Sequence, residues 1–168
     1  MTVVPLTVRP LSKDAFAPFG DVVETEGAEL RLINQGSTER FHDLAGIDVT
    51  DGGGRAIVSV FRGQAFAPPI DIKMMERHPL GSQLFFPLSP RPFLAVVAVD
   101  EDGAPGVPQV FICPPGKGVN YARNTWHHPL LSLEEASDFL VVDRDGAGNN
   151  LEEHDYEGVR YRIDVLSS

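Results

Sequence analysis

The chain is predicted to be all-β, a sandwich or jelly-roll barrel with a few short helical turns, and three observations predict it. Its 168 residues include 16 glycines and 14 prolines, spread along the whole length, so turns interrupt the chain at short intervals. Between the turns lie short runs rich in β-branched and aromatic residues, too brief for ordinary helices. Near the end, Val159, Tyr161, Ile163 and Val165 alternate with Arg160, Arg162 and Asp164, the pattern of a strand with one buried and one wet face. A jelly-roll barrel gives such strands an interior on which several side chains can converge.

In chain order, Ser12 is placed to cap a short turn through Lys13, Asp14, Ala15 and Phe16, which Pro18 and Gly20 end. Residues 52–54, three glycines, read as a hairpin loop ahead of a strand at 56–61. Further strands are expected at 83–88, 93–99, 110–112 and 138–142, with a second hairpin loop at 100–106. No internal repeat or linker divides the chain, so residues 1–168 are read as one domain, long enough to bury a core without disulfides.

Composition removes several classes of function. Net charge is −10, from 24 acidic residues against 14 Lys and Arg, and no basic cluster stands apart to meet a phosphate backbone. The acidic runs at Glu134-Glu135, Asp143 to Asp145 and Glu152 to Glu157 are read as solvated surface with no catalytic part. Cys113 is the only cysteine, and no basic segment leads into a long apolar run, which together predict a cytoplasmic protein that neither spans nor anchors in a membrane.

Two polar clusters stand out. Glu76-Arg77-His78-Pro79-Leu80-Gly81-Ser82-Gln83 joins a histidine to a carboxylate and a side-chain amide, and the stretch from Gly118 to Pro129 ends in Trp126-His127-His128-Pro129. Strand parity decides which members cooperate, because successive side chains point to opposite faces. Met74, Glu76 and His78 share a face, Arg77 points away, and Gln83 has the parity of Phe85 and Pro87, facing the same cavity. Parity also separates His127, assigned to the interior, from His128, whose backbone Pro129 keeps extended and which supports the wall or faces another surface. Trp126 flanks the pocket or packs in the outer sheet, while Asn120, Tyr121 and Arg123 lie on the approach, where ligand-contacting loop residues gather. Glu76, flanked by Met74, Met75 and His78, is either buried with a partner or exposed at an edge, and burial would raise its proton affinity toward the general-base range. His42 and His154 stand alone and are read as structural, and Met74 and Met75 as core filler.

These residues carry a resemblance. Glu76-x-His78-x4-Gln83 resembles a variant of the first metal motif of the cupin superfamily, and Arg123-Asn124-Thr125-Trp126-His127-His128-Pro129 resembles the second, with His127 in the place of its last histidine. Agreement extends along the chain through Phe19-Gly20-Asp21-Val22, Ile33-Asn34-Gln35-Gly36, Glu39-Arg40-Phe41-His42-Asp43-Leu44, Glu76-Arg77-His78-Pro79-Leu80-Gly81, Gly118-Val119-Asn120-Tyr121 and Asp138-Phe139-Leu140, and so resembles the bacterial ureidoglycolate lyase family.

The resemblance implies a cupin-type jelly-roll barrel, commonly a homodimer, that splits (S)-ureidoglycolate into glyoxylate and urea in allantoin degradation. Cleavage of this carbinolamide needs a base on the hydroxyl, a proton for the leaving nitrogen and a cationic anchor for the carboxylate. Glu76 or His78 is the expected base and His127 the expected acid; Arg62 or Arg123 is the expected anchor. Tyr121, Asn120 and Asn34 would position the ureido group, with Gln83 and Trp126 also lining the pocket. A divalent metal such as nickel can be held by Glu76, His78, Gln83 and His127, but glutamine is a poor ligand for such ions, so the set suits either a metal or none. The residues leave two rival readings open. One is an amidohydrolase releasing ammonia and carbon dioxide, and the other a non-catalytic cupin that binds a small hydroxy acid.

Overall fold

Alternation of side chains sorts the strands of this chain into three layers. The computed structural model describes residues 1–167. A five-stranded antiparallel sheet runs in the order Gly20–Val23, Gly118–Tyr121, Gln83–Pro87, Ser137–Asp145 and Arg55–Gly63. Facing it is an eight-stranded sheet whose main path runs Glu152–Asp155, Met74–Arg77, Trp126–His127, Phe93–Ala98, Gln109–Cys113 and Val8–Pro10. The remaining two strands of that sheet are Leu131–Leu133, also paired to Phe93–Ala98, and Ala65–Phe66.

Between these sheets Phe85, Val119, Tyr121, Phe139 and Val141 meet Phe93, Ala95, Val97, Phe111 and Cys113. The other face of the larger sheet carries Leu94, Val96, Ala98, Val110 and Trp126, covered by Ile70, Ile72 and Ile163. Those three belong to a third sheet of Thr2–Pro5, Val159–Ile163 and Ile70–Ile72. Phe93–Ala98 is therefore buried on both faces, which is why its sequence is an unbroken apolar run rather than an alternating one.

The expected all-β class with short helical turns is what the structure shows, the two main sheets facing each other across a shared core. Ser12 caps the four-residue helix Lys13–Phe16, its Oγ accepting from the Ala15 amide at 3.2 Å. The strands expected at 56–61, 83–88, 93–99, 110–112 and 138–142 are all present within a few residues. Residues 52–54 do not close a hairpin. Asp51–Gly53 form a 3₁₀ turn, and Arg55–Gly63 pairs instead with the distant Ser137–Asp145. The last strand ends at Ile163, leaving Val165 beyond it and exposed. A hairpin of Glu29–Ile33 and Thr38–His42 was not anticipated and forms a two-stranded sheet of its own, turned at Asn34 and Gln35, both with positive φ. Among the described residues no helix is long and apolar enough to cross a membrane.

Candidate functional site

Three strands of the two main sheets deliver the two polar clusters to one place. Glu76 on Met74–Arg77 is the Cα partner of His127 on Trp126–His127, and His78 follows Glu76 at the end of its strand. Gln83 opens the strand opposite, paired with Tyr121. Met75 packs on the far side of the larger sheet, so Glu76 and His78 face inward as parity requires. Glu76 Oε1 stands 3.5 Å from His127 Nε2 and 4.0 Å from His78 Nε2. The ligand-type atoms of these three residues lie within 4.8 Å of one another. His127 is enclosed, its side chain 2% exposed, whereas Glu76 at 20% and His78 at 18% can meet solute.

Backbone carbonyls orient both imidazoles. His127 Nδ1 donates to the Thr125 carbonyl at 2.9 Å, and His78 Nδ1 to the Asn150 carbonyl at 2.8 Å. A carbonyl only accepts, so each ring donates from Nδ1 and, when neutral, turns the Nε2 lone pair into the site. His127 Nε2 is buried with no hydrogen-bond partner, which makes its 3.5 Å contact with Glu76 electrostatic. His78 Nε2 faces Gln83 Oε1 at 3.1 Å, lone pair against lone pair. Three acceptor atoms and a carboxylate thus surround one small volume, an arrangement that calls for a cation there, a proton or a metal ion. Imidazole nitrogen, carboxylate and amide oxygen are suitable donors for a divalent first-row ion, so Glu76, His78, Gln83 and His127 fit one.

The electrostatics correct one expectation. Burial by itself would raise the Glu76 carboxyl, but contact with His127 and the charges that His127, His78 and His128 carry when protonated outweigh it and leave Glu76 below the usual carboxylate range. Glu76 is therefore held as an anion beside the imidazoles rather than poised as a strong base. Tyr121 stacks on His127, ring centroids 4.3 Å apart and planes at 11°. Its hydroxyl is driven well above the ordinary tyrosine range, by burial first and by the neighbouring Cys113 and Glu76 after it, so it stays protonated. His128 is lowered, chiefly by burial, and its Nδ1 is bound to the Pro129 carbonyl.

The remaining sequence candidates lie elsewhere. Arg62 is on the outer face of the five-stranded sheet, bound through two nitrogens to Asp138 at 2.7 and 3.0 Å, because it shares parity with the exposed Val58 and Val60. Arg123 is engaged by Asp51 at 2.7 Å and Asp48 at 3.1 Å. Asn120 is buried on the opposite side of its strand from Tyr121 and donates to Asp21 and the Gly46 carbonyl. Asn34 sits in the turn of the outlying hairpin, bonded to Thr38. Trp126 points away from His127 into the layer beneath the third sheet, its indole donating to Asp100 at 2.8 Å under the Arg77 guanidinium. Among the described residues, the charged groups that shift Glu76 are histidines, and Arg62 and Arg123 each spend their guanidinium on carboxylates, Asp138 for the one and Asp48 and Asp51 for the other.

Two residues that sequence reasoning passed over belong to it. Asp143, placed among the solvated acids, faces inward and accepts from Gln83 Nε2 at 3.1 Å. Asn150 supplies the carbonyl that orients His78, and its side chain accepts from the Leu80 amide at 2.8 Å. Parity could have found Asp143, which shares a strand face with the inward Phe139 and Val141. No side-chain signal announces a backbone carbonyl. A separate recess of about 540 Å³ at the foot of the hairpin, lined by Lys13, Asp21, Glu29 and His42 among others, does not include these residues.

Comparison with known proteins bears on this geometry. The profile of a family described as ureidoglycolate lyase matches residues 3–164. A ureidoglycolate lyase from Brucella melitensis biotype 2 is 59% identical over 168 residues, covering 100% of this chain and 99% of the relative. One from Rhizobium etli is 59% identical over 152 residues, covering 90% and 92%. Among solved structures, a 3,4-ketoisomerase from Helicobacter canadensis aligns over 78% of this chain and 87% of its own, at 14% identity and a TM-score of 0.45. A dTDP sugar isomerase from Desulfovibrio desulfuricans aligns over 79% and 87%, at 17% identity and a TM-score of 0.40.

Proposed function

Since the chain belongs to the ureidoglycolate lyase family, we propose that it cleaves ureidoglycolate to glyoxylate and urea at the cluster of Glu76, His78, Gln83 and His127. The observation that carries the assignment is the convergence of two Nε2 lone pairs and the Glu76 carboxylate on one volume, with His127 Nε2 buried and unpartnered.

The reaction breaks one bond and moves one proton overall. The carbinol hydroxyl gives up its proton, the oxygen electron pair closes the carbonyl of glyoxylate, and the carbon–nitrogen pair leaves on urea, whose nitrogen gains a proton. With the cluster free of metal, His78 Nε2 takes the hydroxyl proton, and His127, protonated on Nε2, delivers one to nitrogen. Glu76, kept anionic, stabilises the imidazolium at His127, and the Thr125 and Asn150 carbonyls hold the two rings in register. Tyr121 closes one face of His127 to water. A divalent ion bound by Glu76, His78, Gln83 and His127 would supply positive charge for the substrate carboxylate and hydroxyl.

The test is to incubate metal-analysed protein with ureidoglycolate and measure urea, glyoxylate and ammonia, before and after chelation. Equal urea and glyoxylate are expected, and ammonia without urea would overturn the assignment. Glu76→Gln and His127→Ala are each expected to lower turnover at least about a hundredfold. Loss of turnover on chelation, restored by a divalent ion, would assign the charge to a metal; full turnover in metal-free protein would assign it to the imidazoles.

Three coarser features complete the reading. The shared core and a site drawing on both main sheets support a single domain over residues 1–168. A homodimer is supported by the outlying hairpin, whose Leu30, Leu32 and Phe41 share one exposed face, because a lone hairpin with a bare apolar face is marginal in water. A second copy is the occupant that fits, offering the equally exposed Val58 and Val60 of its five-stranded sheet. The lone buried Cys113 and the net charge of −10 support a cytoplasmic location and a small-molecule substrate rather than nucleic acid or membrane.

A further inference from the structure

We propose that Asp143 is a positioning residue that locks the Gln83 amide oxygen-first toward His78, and that this lock is what makes the cluster receptive to a divalent cation. The inference rests on reading that cluster as a cation site. A glutamine amide presents an oxygen at one end and an NH₂ group at the other, and rotation by half a turn exchanges them. Gln83 is buried, 6% exposed, so both ends must find partners within the protein. One end faces His78 Nε2 at 3.1 Å, and the other faces Asp143 Oδ2 at 3.1 Å.

Taken with His78 alone, the amide would turn its NH₂ inward. His78 carries its proton on Nδ1, bound to the Asn150 carbonyl, so Nε2 is an acceptor and a donor from Gln83 would satisfy it. That orientation would place two hydrogens where a cation must sit, and would direct Gln83 Oε1 at the Asp143 carboxylate, oxygen against oxygen. Asp143 forbids it. A carboxylate accepts only, so the NH₂ group turns to Asp143 and the oxygen turns inward, against the local preference of His78. The strands make this a built contact. Leu84 pairs with Val142 and Phe85 with Val141, and continuing that register sets Gln83 directly across from Asp143. Gln83 is a weak ligand whose oxygen end is enforced by a neighbour, which answers how a glutamine can serve in a set otherwise made of imidazole and carboxylate.

The test is a double-mutant cycle read by titration with Ni²⁺ alone. Asp143→Asn removes the bias, since an asparagine can donate to Gln83 as readily as accept from it, and is expected to weaken Ni²⁺ binding about tenfold or more. In a Gln83→Glu background both ends of the side chain are oxygen, so the same Asp143→Asn change is expected to alter binding by less than about twofold. Asp143→Leu repeats the comparison if the asparagine variant does not fold. Equal weakening in both backgrounds would reveal a merely structural residue and overturn the proposal, as would unchanged binding in Asp143→Asn. Unsubstituted protein that binds no Ni²⁺ would overturn it too, while the lyase assignment would still stand or fall on the products. As a measurement needing no variant, nuclear Overhauser contacts from the Gln83 NH₂ protons to the His78 ring would show the amide turned the other way and sink the idea.

Discussion

His128 is held below its ordinary range, first by burial and further by the charge of His127, against the opposing pull of the Pro129 carbonyl and Glu76. The unfolded chain takes up this proton near the ordinary value of 6.5 and the folded chain resists it, so the contribution is present above that pH and is lost as pH falls through it toward the lower folded value. Glu76 acts in a different window. Its folded value lies below the ordinary 4.5, so its contribution persists above that pH and disappears only in stronger acid. The urea midpoint is expected to drop between pH 7.5 and 5.5, and to drop less in His128→Gln; identical slopes would show that His128 is not the group responsible. At this scale, Glu76, His78, Gln83 and His127 are legible in the sequence because strand alternation is strict. Arg62 misleads because its charge suits an anchor, while its parity, shared with the exposed Val58 and Val60, turns it to the outer face. Asp143 is hidden by its acidic neighbours, one of which, Asp145, does face solvent beside Arg55.

Along each strand, the side-chain period decides which layer receives which residue. Phe139, fully buried on the five-stranded sheet, meets Phe93 of the larger sheet edge-on at 5.1 Å and 79°, tying the two layers together. Phe139→Ala is expected to cost about 3–5 kcal/mol in urea unfolding followed by circular dichroism; a cost under about 1 kcal/mol would mean that the sheets close up around the gap. Strands with an apolar run or clean alternation are the ones the sequence discloses. The hairpin at Glu29–Ile33 and Thr38–His42 escapes such reading because it has no core to pattern against: its strands mix charged and apolar residues, and its apolar face is left outside. The three glycines at 52–54 suggest a hairpin only locally, whereas the strand they precede finds its partner some eighty residues later.

For the molecule as a whole, that uncovered face sets the assembly expected in solution. Leu32, 66% exposed, is its most open apolar residue. Leu32→Glu is expected to convert a sedimenting dimer to a monomer without loss of secondary structure, and a dimer that survives in Leu30→Glu/Leu32→Glu would place the contact elsewhere. The three-layer arrangement also fixes what can be seen optically. The chain has one tryptophan, and Trp126 lies in the seam between the larger sheet and the sheet that covers it, its indole nitrogen tied to Asp100. Its ring is on the opposite side of the backbone from its neighbour His127. The intrinsic fluorescence of the protein is therefore a gauge of whether the outer layer is still seated, reddening when that seam admits water, and is a poor witness to events in the pocket one residue away.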